Sequence, residues 1–395
     1  MTPTILILVG ITGDLAKRKL LPALAHLARS RELPEKFRVI GITRKPDARL
    51  ASLFAQEADA SYLEKHLELF HMDLAAKADY ERLAAKLSEV EKDFGAPAQR
   101  LFYLSVPPSV SQAIIEYLGA SDLAKAPDTK LLLEKPSGMD LASAEELIGH
   151  VEKYFNDEQV YRIDHFLAKD FAQDMVRTRQ RDAELERAWN KDSLGRIEIL
   201  ATEAIGIEGR AAFYEQTGAL RDLVQSHLLE LAALTLMQLP ASPQEQPAAR
   251  RAALATLSAT TPARRGQYDG YREEVKNSGS VVETFVLLTL KSSDERFSGV
   301  PITLMTGKAL DTKTTEIRLY PSAPDGAPRV WSDAKQARDA YEKVFSAALA
   351  GERELFVEKA EVLECWRIIA PVQEAWKASA DDLRFYPKGS KPSDI

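Results

Sequence analysis

Thr4-Ile5-Leu6-Ile7-Leu8-Val9-Gly10-Ile11-Thr12-Gly13-Asp14-Leu15-Ala16 decides the fold. An apolar run of strand length stops on Gly10, and Gly10-x-x-Gly13-x-x-Ala16 opens a helical pattern through Leu20, Leu21, Leu24 and Leu27. In such a strand–turn–helix unit the first glycine allows the tight turn. The second lets backbone approach a pyrophosphate, and the small third residue permits close helix–strand packing. The helix N-terminus then offers free N–H groups and positive potential to phosphate. Glycine turns also occur without a ligand; the position after a first strand is what points to a dinucleotide.

The pattern continues outward. Apolar runs at 37–42, 67–72, 101–106, 131–133 and 160–163 have strand length, with helical periodicity between them, as in Leu141-Ala144-Leu147-Ile148-Val151. Strands apolar throughout and separated by helices indicate a parallel sheet covered on both faces. Residues 1–165 therefore read as a doubly wound, Rossmann-like α/β dinucleotide domain. Residues 166–395 read differently: β-rich runs at 197–207, 281–290, 301–305 and 316–319, and helices near 220–239, 334–349 and 357–376. Strands without a helix after each predict an α+β domain with a largely antiparallel sheet. Pro240–Ala249, rich in Pro, Gln and Ala, is the nearest thing to a linker.

Composition narrows the class. At 395 residues the chain suits two domains, and 45% hydrophobic with 28% charged residues describes an ordinary globular protein. A net charge of −7 without a dense basic run argues against a nucleic-acid surface. Thr4–Val9 is too short to span a bilayer and lacks a basic segment before it, so no membrane partner is expected. Cys365 is the one cysteine, which excludes an internal disulfide and points to a reducing, cytoplasmic compartment. With six histidines, no HExxH and no CxxC, no metal site is expected.

The second strand ends in Thr43-Arg44-Lys45, where NAD-preferring sites carry an acid for the ribose 2′-hydroxyl. A guanidinium there suits a 2′-phosphate, so Arg44 favours NADP, while Asp47 leaves NAD possible. Arg44 and Lys45 also read as solvated loop cations. Pro107 and Lys135 end later strands on the sheet edge where open α/β sheets bind ligands.

Arg162-Ile163-Asp164-His165-Phe166-Leu167-Ala168-Lys169 follows the last of these strands. His165 and Lys169 are four apart, so on a helical turn they would share a face and suit a phosphate dianion. The alternative is a capping Asp with solvated neighbours. His227 lies in the stripe Leu220-Val224-His227-Leu231 and should point inward; a histidine suits a general base because its pKa lies near working pH. A satisfied core histidine reads the same way.

The 162–169 segment resembles the R-I-D-H-[YF]-L-x-K signature of glucose-6-phosphate dehydrogenases. In the same order stand Gly10–Lys19, Leu133-Glu134-Lys135-Pro136 and Gly307-Lys308-Ala309-Leu310, with Glu208-Gly209-Arg210 and Tyr386-Pro387-Lys388-Gly389-Ser390 also similar. The resemblance implies NADP-linked oxidation of glucose 6-phosphate at C1. Arg221–Leu228 matches the segment with the catalytic histidine, His227, and Asp164 matches the carboxylate that pairs with it. His165, Lys169, Lys308 and Lys313 match contacts to phosphate. Glu203 and Asp222 match acids that hydrogen-bond sugar hydroxyls, and Lys135 a lysine between cofactor and sugar. Gly10, Thr12, Gly13, Asp14, Leu15, Arg44 and Pro107 fall to the cofactor.

Three departures matter. Phe166 stands where the family usually has tyrosine, Ser137 where EKPFG has phenylalanine, and only residues 320–340 separate the strand ending at Leu319 from the helix at Tyr341. The family inserts several dozen more residues there, including sheet strands of the dimer contact and a glutamine that touches the sugar. The expected assembly is a monomer, or a dimer with a contact unlike the family's. Rival functions are a dehydrogenase for another aldose or its phosphate, and a non-catalytic NADP or sugar-phosphate sensor; Asp164, His227, Lys169 and Lys135 together disfavour the sensor.

Overall fold

Strand β1 (Thr4–Val9) is buried along its whole length, and its successive side chains face opposite ways. Ile5, Ile7 and Val9 join one core cluster and Leu6 and Leu8 another, so the sheet is packed on both faces. The computed structural model describes residues 1–395 apart from 55–60, 62, 122, 127, 324, 335 and 336. With β2 (Phe37–Thr43), β3 (Leu67–His71), β4 (Gln99–Leu104), β5 (Thr129–Leu133) and β6 (Val160–Ile163) it forms a parallel sheet in the order β6-β5-β4-β1-β2-β3. That is the doubly wound order, whose strand order reverses beside β1 and leaves a crevice there. A two-residue strand, Phe356–Val357, adds to β6 antiparallel at the edge. Residues of the helices Lys77–Phe94 and Pro108–Ala120 cover one face, and those of Leu21–Arg29 the other.

The chain divides into two compact units, 1–138 with 142–168 and 338–359, and 139–141 with 169–337 and 360–395. This differs from a single cut at 165/166. The helix Ala340–Ala350 returns to the first unit, where Tyr341, Val344, Phe345, Ala347 and Ala348 join the core that holds Leu20, Leu24 and Leu27. Apolar periodicity marks such a helix but does not say which sheet it covers. It also starts later than the sequence suggests, at Ala340, because the Asp339 side chain accepts from Tyr341 N at 2.9 Å and caps it.

The second unit is built on a mixed sheet. Its strands are β7 (Leu194–Thr202), β8 (Leu257–Ala259), β9 (Arg264–Tyr268), β10 (Phe285–Ser292), β11 (Ile302–Gly307), β12 (Thr314–Pro321) and β13 (Arg329–Ser332), with Leu383–Tyr386 at one edge. The order is β13-β12-β7-β11-β10-β9, then 383–386; β8 pairs with β10. Most pairs are antiparallel, as expected, while β7/β11 and β9/383–386 are parallel. The run at 197–207 does not continue as one strand: β7 ends at Thr202, where Glu203 N turns to donate to Gly307 O at 2.8 Å. Pro240–Ala249 is no linker either, since a turn at Pro243–Glu245 leads into the helix Gln246–Ala255.

The predicted helix near 220–239 is real but unusual. It is π-helical over Leu220–Leu228 and α-helical over Leu229–Leu236, and its first part packs on β7 and β11. Leu220, Val224, His227 and Leu231 are all buried, as their stripe requires.

Candidate functional site

In the first unit Gly10 sits at φ 88°, and a Cβ there would lie 2.4 Å from Ser105 O. Only glycine fits that turn. Gly13 N donates to Gly10 O at 2.8 Å, closing it. Gly10, Thr12, Gly13, Arg44 and Pro107 line a cavity of about 410 Å³, with Lys45, Ser105 and Val106. Arg44 also lines a neighbouring cavity of about 510 Å³ with His71, Asp73 and Asp79. Asp14 and Leu15 form the first turn of the helix: Asp14 is exposed and pairs with Arg18 at 3.3 Å, and Leu15 packs toward the core. The helix is π-wound over Ala16–Leu20, an irregularity often found at functional sites.

A cradle without side chains, a helix start and a guanidinium on its rim fit a dinucleotide carrying a 2′-phosphate. Lys135 lies beyond it in a smaller pocket with Val106, Ser111 and Ser137. Its neighbour Glu134 is half-buried and accepts from Tyr103 Oη at 2.5 Å and from Tyr341. Burial pushes the Glu134 carboxyl up from its usual range.

Asp164 is buried at the end of β6, and its Oδ1 accepts from Phe166 N at 3.0 Å, an Asx turn. His165 follows in that turn, half-buried and stacked on Tyr341 with centroids 5.9 Å apart. No helical turn joins His165 to Lys169: residues 165–168 form turns, Lys169 is extended, and the helix starts at Asp170. The four-residue spacing therefore does not place them on one helical face. The Asx turn takes up the backbone that such a helix would need.

In the second unit Lys169 pairs with Asp333 at 2.6 Å. Lys308 is buried, pairs with Glu203, and stands 5.4 Å over the Tyr214 ring. Burial, then Asp222, Glu283, Tyr386 and Glu203 in turn, raise the Tyr214 hydroxyl well above its usual value. Tyr214 thus marks the centre of a group holding Lys308, Glu203 and Asp222. Sequence reasoning missed it; the signal available was its place four residues after Arg210 in the Glu208-Gly209-Arg210 stretch. Lys313 is exposed just before β12.

Asp222 and His227 lie five residues apart on the π-helix, and both are buried. Around an α-helix they would be about 140° apart. A π turn closes i→i+5, so here they stand one turn apart on the same side. A buried imidazole one turn from a buried carboxylate can accept a proton from a bound hydroxyl while the acid holds a second polar group of the same molecule. Among the described residues no group of three His, Cys, Asp or Glu side chains is placed to hold a metal ion. Nor is any described helix long and apolar enough to cross a membrane.

Comparison with known proteins agrees with this arrangement. The glucose-6-phosphate dehydrogenase NAD-binding domain matches residues 7–174, and the C-terminal domain of the same family matches 176–325 and 329–394. Glucose-6-phosphate 1-dehydrogenase of Chlamydia muridarum is 31% identical over 473 aligned positions, covering 98% of this chain and 93% of the relative. That alignment is longer than the 395-residue chain, so the relative carries segments that this chain lacks. A solved glucose-6-phosphate dehydrogenase in complex with its substrate glucose 6-phosphate superposes with a TM-score of 0.89 at 25% identity, covering 99% of this chain and 95% of that one. The crystal structure of glucose-6-phosphate 1-dehydrogenase from Mycobacterium avium gives 0.85 at 30% identity, with 98% and 94% covered. With both domains matched along nearly its full length, the chain belongs to the glucose-6-phosphate dehydrogenase family.

Proposed function

We propose that this chain oxidises glucose 6-phosphate at C1 to the 6-phosphogluconolactone, with NADP as coenzyme and His227 as general base. The observation that carries this reading is that a family member retains the buried Asp222–His227 turn beside the Glu203–Lys308 pair. The C1 hydroxyl loses its proton to the His227 imidazole as its carbon loses hydride. NADP, when bound, supplies the nicotinamide that takes that hydride. Asp164, by the family resemblance, is the carboxylate that pairs with the base and stabilises the imidazolium. Glu203 and Asp222 hold sugar hydroxyls, and His165, Lys169, Lys308 and Lys313 hold the phosphate, as cations suited to a dianion. Lys135 stands between coenzyme and sugar. In the first unit Gly10, Thr12 and Gly13 let the pyrophosphate approach backbone, Asp14 and Leu15 give it the helix start, Arg44 takes the 2′-phosphate and Pro107 borders the nicotinamide side.

A panel of aldoses with and without a 6-phosphate, followed by NADPH absorbance, tests the reading. Glucose 6-phosphate is expected to give the highest kcat/KM; equal turnover of free glucose would overturn it. NAD in place of NADP should give a lower kcat/KM.

The segments missing relative to the family support a monomer, or a dimer with a different contact. The outer face of the sheet supports the same view, since Arg196, Glu198, Glu316 and Arg318 pair with one another across it. Light scattering at micromolar concentration decides between these and a family-like dimer. The single cysteine supports a reducing, cytoplasmic setting.

A further inference from the structure

Glu283 belongs to no motif, yet it meets the helix that carries Asp222 and His227 at its start. Its backbone O accepts from Ala219 N at 2.9 Å, and its buried side-chain Oε1 accepts from Leu220 N at 2.8 Å. Two of the N–H groups that a helix start leaves without intrahelical partners are thereby satisfied. Gly218 wraps the same carboxylate: it lies at φ 62° and ψ −179°, a conformation open essentially to glycine alone. A Cβ on Gly218 would stand 2.4 Å from Glu283 Oε1.

The next residue holds a second element. Thr284 O accepts from Lys308 N at 2.9 Å, and Thr284 Oγ1 bonds Tyr386 Oη at 2.9 Å, which in turn donates to Lys308 O at 2.8 Å. Glu283-Thr284 therefore ties the start of the His227 helix to the Lys308 turn. Beyond His227 the same helix is held by the buried pairs Glu230–Arg250, at 3.6 Å, and Arg250–Glu361, at 2.8 Å.

Nothing in the residue types of Leu220–Leu228 demands a π turn, and Glu283 fixes the point at which the segment starts. A start that slips by one residue rotates every later side chain by about 100°. We propose that Glu283 is a positioning residue: by fixing Ala219 and Leu220 it sets the register in which Asp222 and His227 share a side. This rests on the reading of His227 as the base.

Three variants test it. Glu283→Asp withdraws the acceptor by one methylene, whereas Glu283→Gln keeps Oε1 in place. The Asp variant is expected to lower kcat roughly tenfold to a hundredfold, the scale of small misplacements of reacting groups, with KM for NADP unchanged. The Gln variant should stay within about twofold of wild type. Hydrogen exchange at the Leu220 amide should quicken in the Asp variant and not in the Gln variant. If Glu283→Asp does not fold, Gly218→Ala is the substitute, because its methyl group must displace the Glu283 carboxylate; the same loss of kcat is expected. A wild-type kcat in the Asp or Gly218→Ala variant, or equal loss in Asp and Gln, overturns the proposal. Should wild type itself fail to oxidise glucose 6-phosphate, the functional reading falls, and amide exchange alone still decides whether Glu283 sets the helix start.

Discussion

Tyr341 lies face to face with His165, its ring plane 15° from parallel, while its hydroxyl hydrogen-bonds Glu134, the neighbour of Lys135. One side chain from the returning helix therefore touches the surroundings of two expected substrate contacts. Tyr341→Leu, which removes both the stack and the hydroxyl, is expected to raise KM for glucose 6-phosphate several-fold with KM for NADP unchanged. Tyr341→Phe keeps the stack and should give a smaller rise. Equal effects of both variants in steady-state kinetics would place the whole contribution in the hydroxyl.

His227→Asn removes the proton acceptor. It should lower kcat by roughly 10²–10⁴-fold with little change in NADP affinity. Asp164→Asn should cost less, because it removes a partner of the base and not the acceptor. Kinetics paired with fluorescence titration of NADPH separates the two effects.

Lys169 already has an acidic partner, Asp333, and a substrate phosphate must compete with it. Lys169→Ala should raise KM for glucose 6-phosphate tenfold to a hundredfold, the equivalent of about 1.5–3 kcal/mol for a charge-assisted contact. Asp333→Asn, which removes the charge of that partner, should lower that KM. A rise in both variants would show that the pair acts as a structural unit.

Arg44 borders two cavities, and a 2′-phosphate distinguishes the two coenzymes there. Arg44→Ala should raise KM for NADP and leave NAD nearly untouched. A parallel loss with both coenzymes would instead assign Arg44 to the shared adenosine part.

Burial raises the Glu283 carboxyl above its ordinary 4.5, with backbone N–H bonds and Arg221 and Arg265 acting against it. Raised in the folded state, this group stabilises fully below 4.5 and less as pH climbs through its folded value. Glu283→Gln has no such dependence. Calorimetry should find the Gln variant's Tm advantage over wild type larger at about pH 8 than at about pH 5; an equal difference at both would contradict the sign.

Much of this was legible because burial on both faces writes itself into residues 5–9 of β1 and 101–104 of β4 as unbroken apolar runs. The Gly10–Gly13 turn was legible because only glycine fits against Ser105 O. Other features leave no such mark. Strands such as Arg264–Tyr268 and Arg329–Ser332 are short and lack the long apolar run of β1, and derive their pairing from neighbours. The start of the π-wound segment Leu220–Leu228 is held by Glu283, more than fifty residues away in sequence. Tyr214 acquires its meaning only from the charges the fold gathers around it. His165 and Lys169 looked like a helical pair because the spacing fits, but the Asp164 side chain spends the intervening backbone on a turn.

The return of Ala340–Ala350 to the first unit also bears on how the chain is made. Synthesis proceeds from the N-terminus, and domains commonly fold as they emerge. Here the core around Leu20, Leu24 and Leu27 lacks Tyr341, Val344 and Phe345 until those residues have left the ribosome. The first unit must therefore wait, with apolar surface uncovered, while almost the whole second unit is translated. A fragment ending at residue 168 would keep that surface exposed for good, so the nucleotide-binding half of this chain cannot be cut out or grafted as a single contiguous piece.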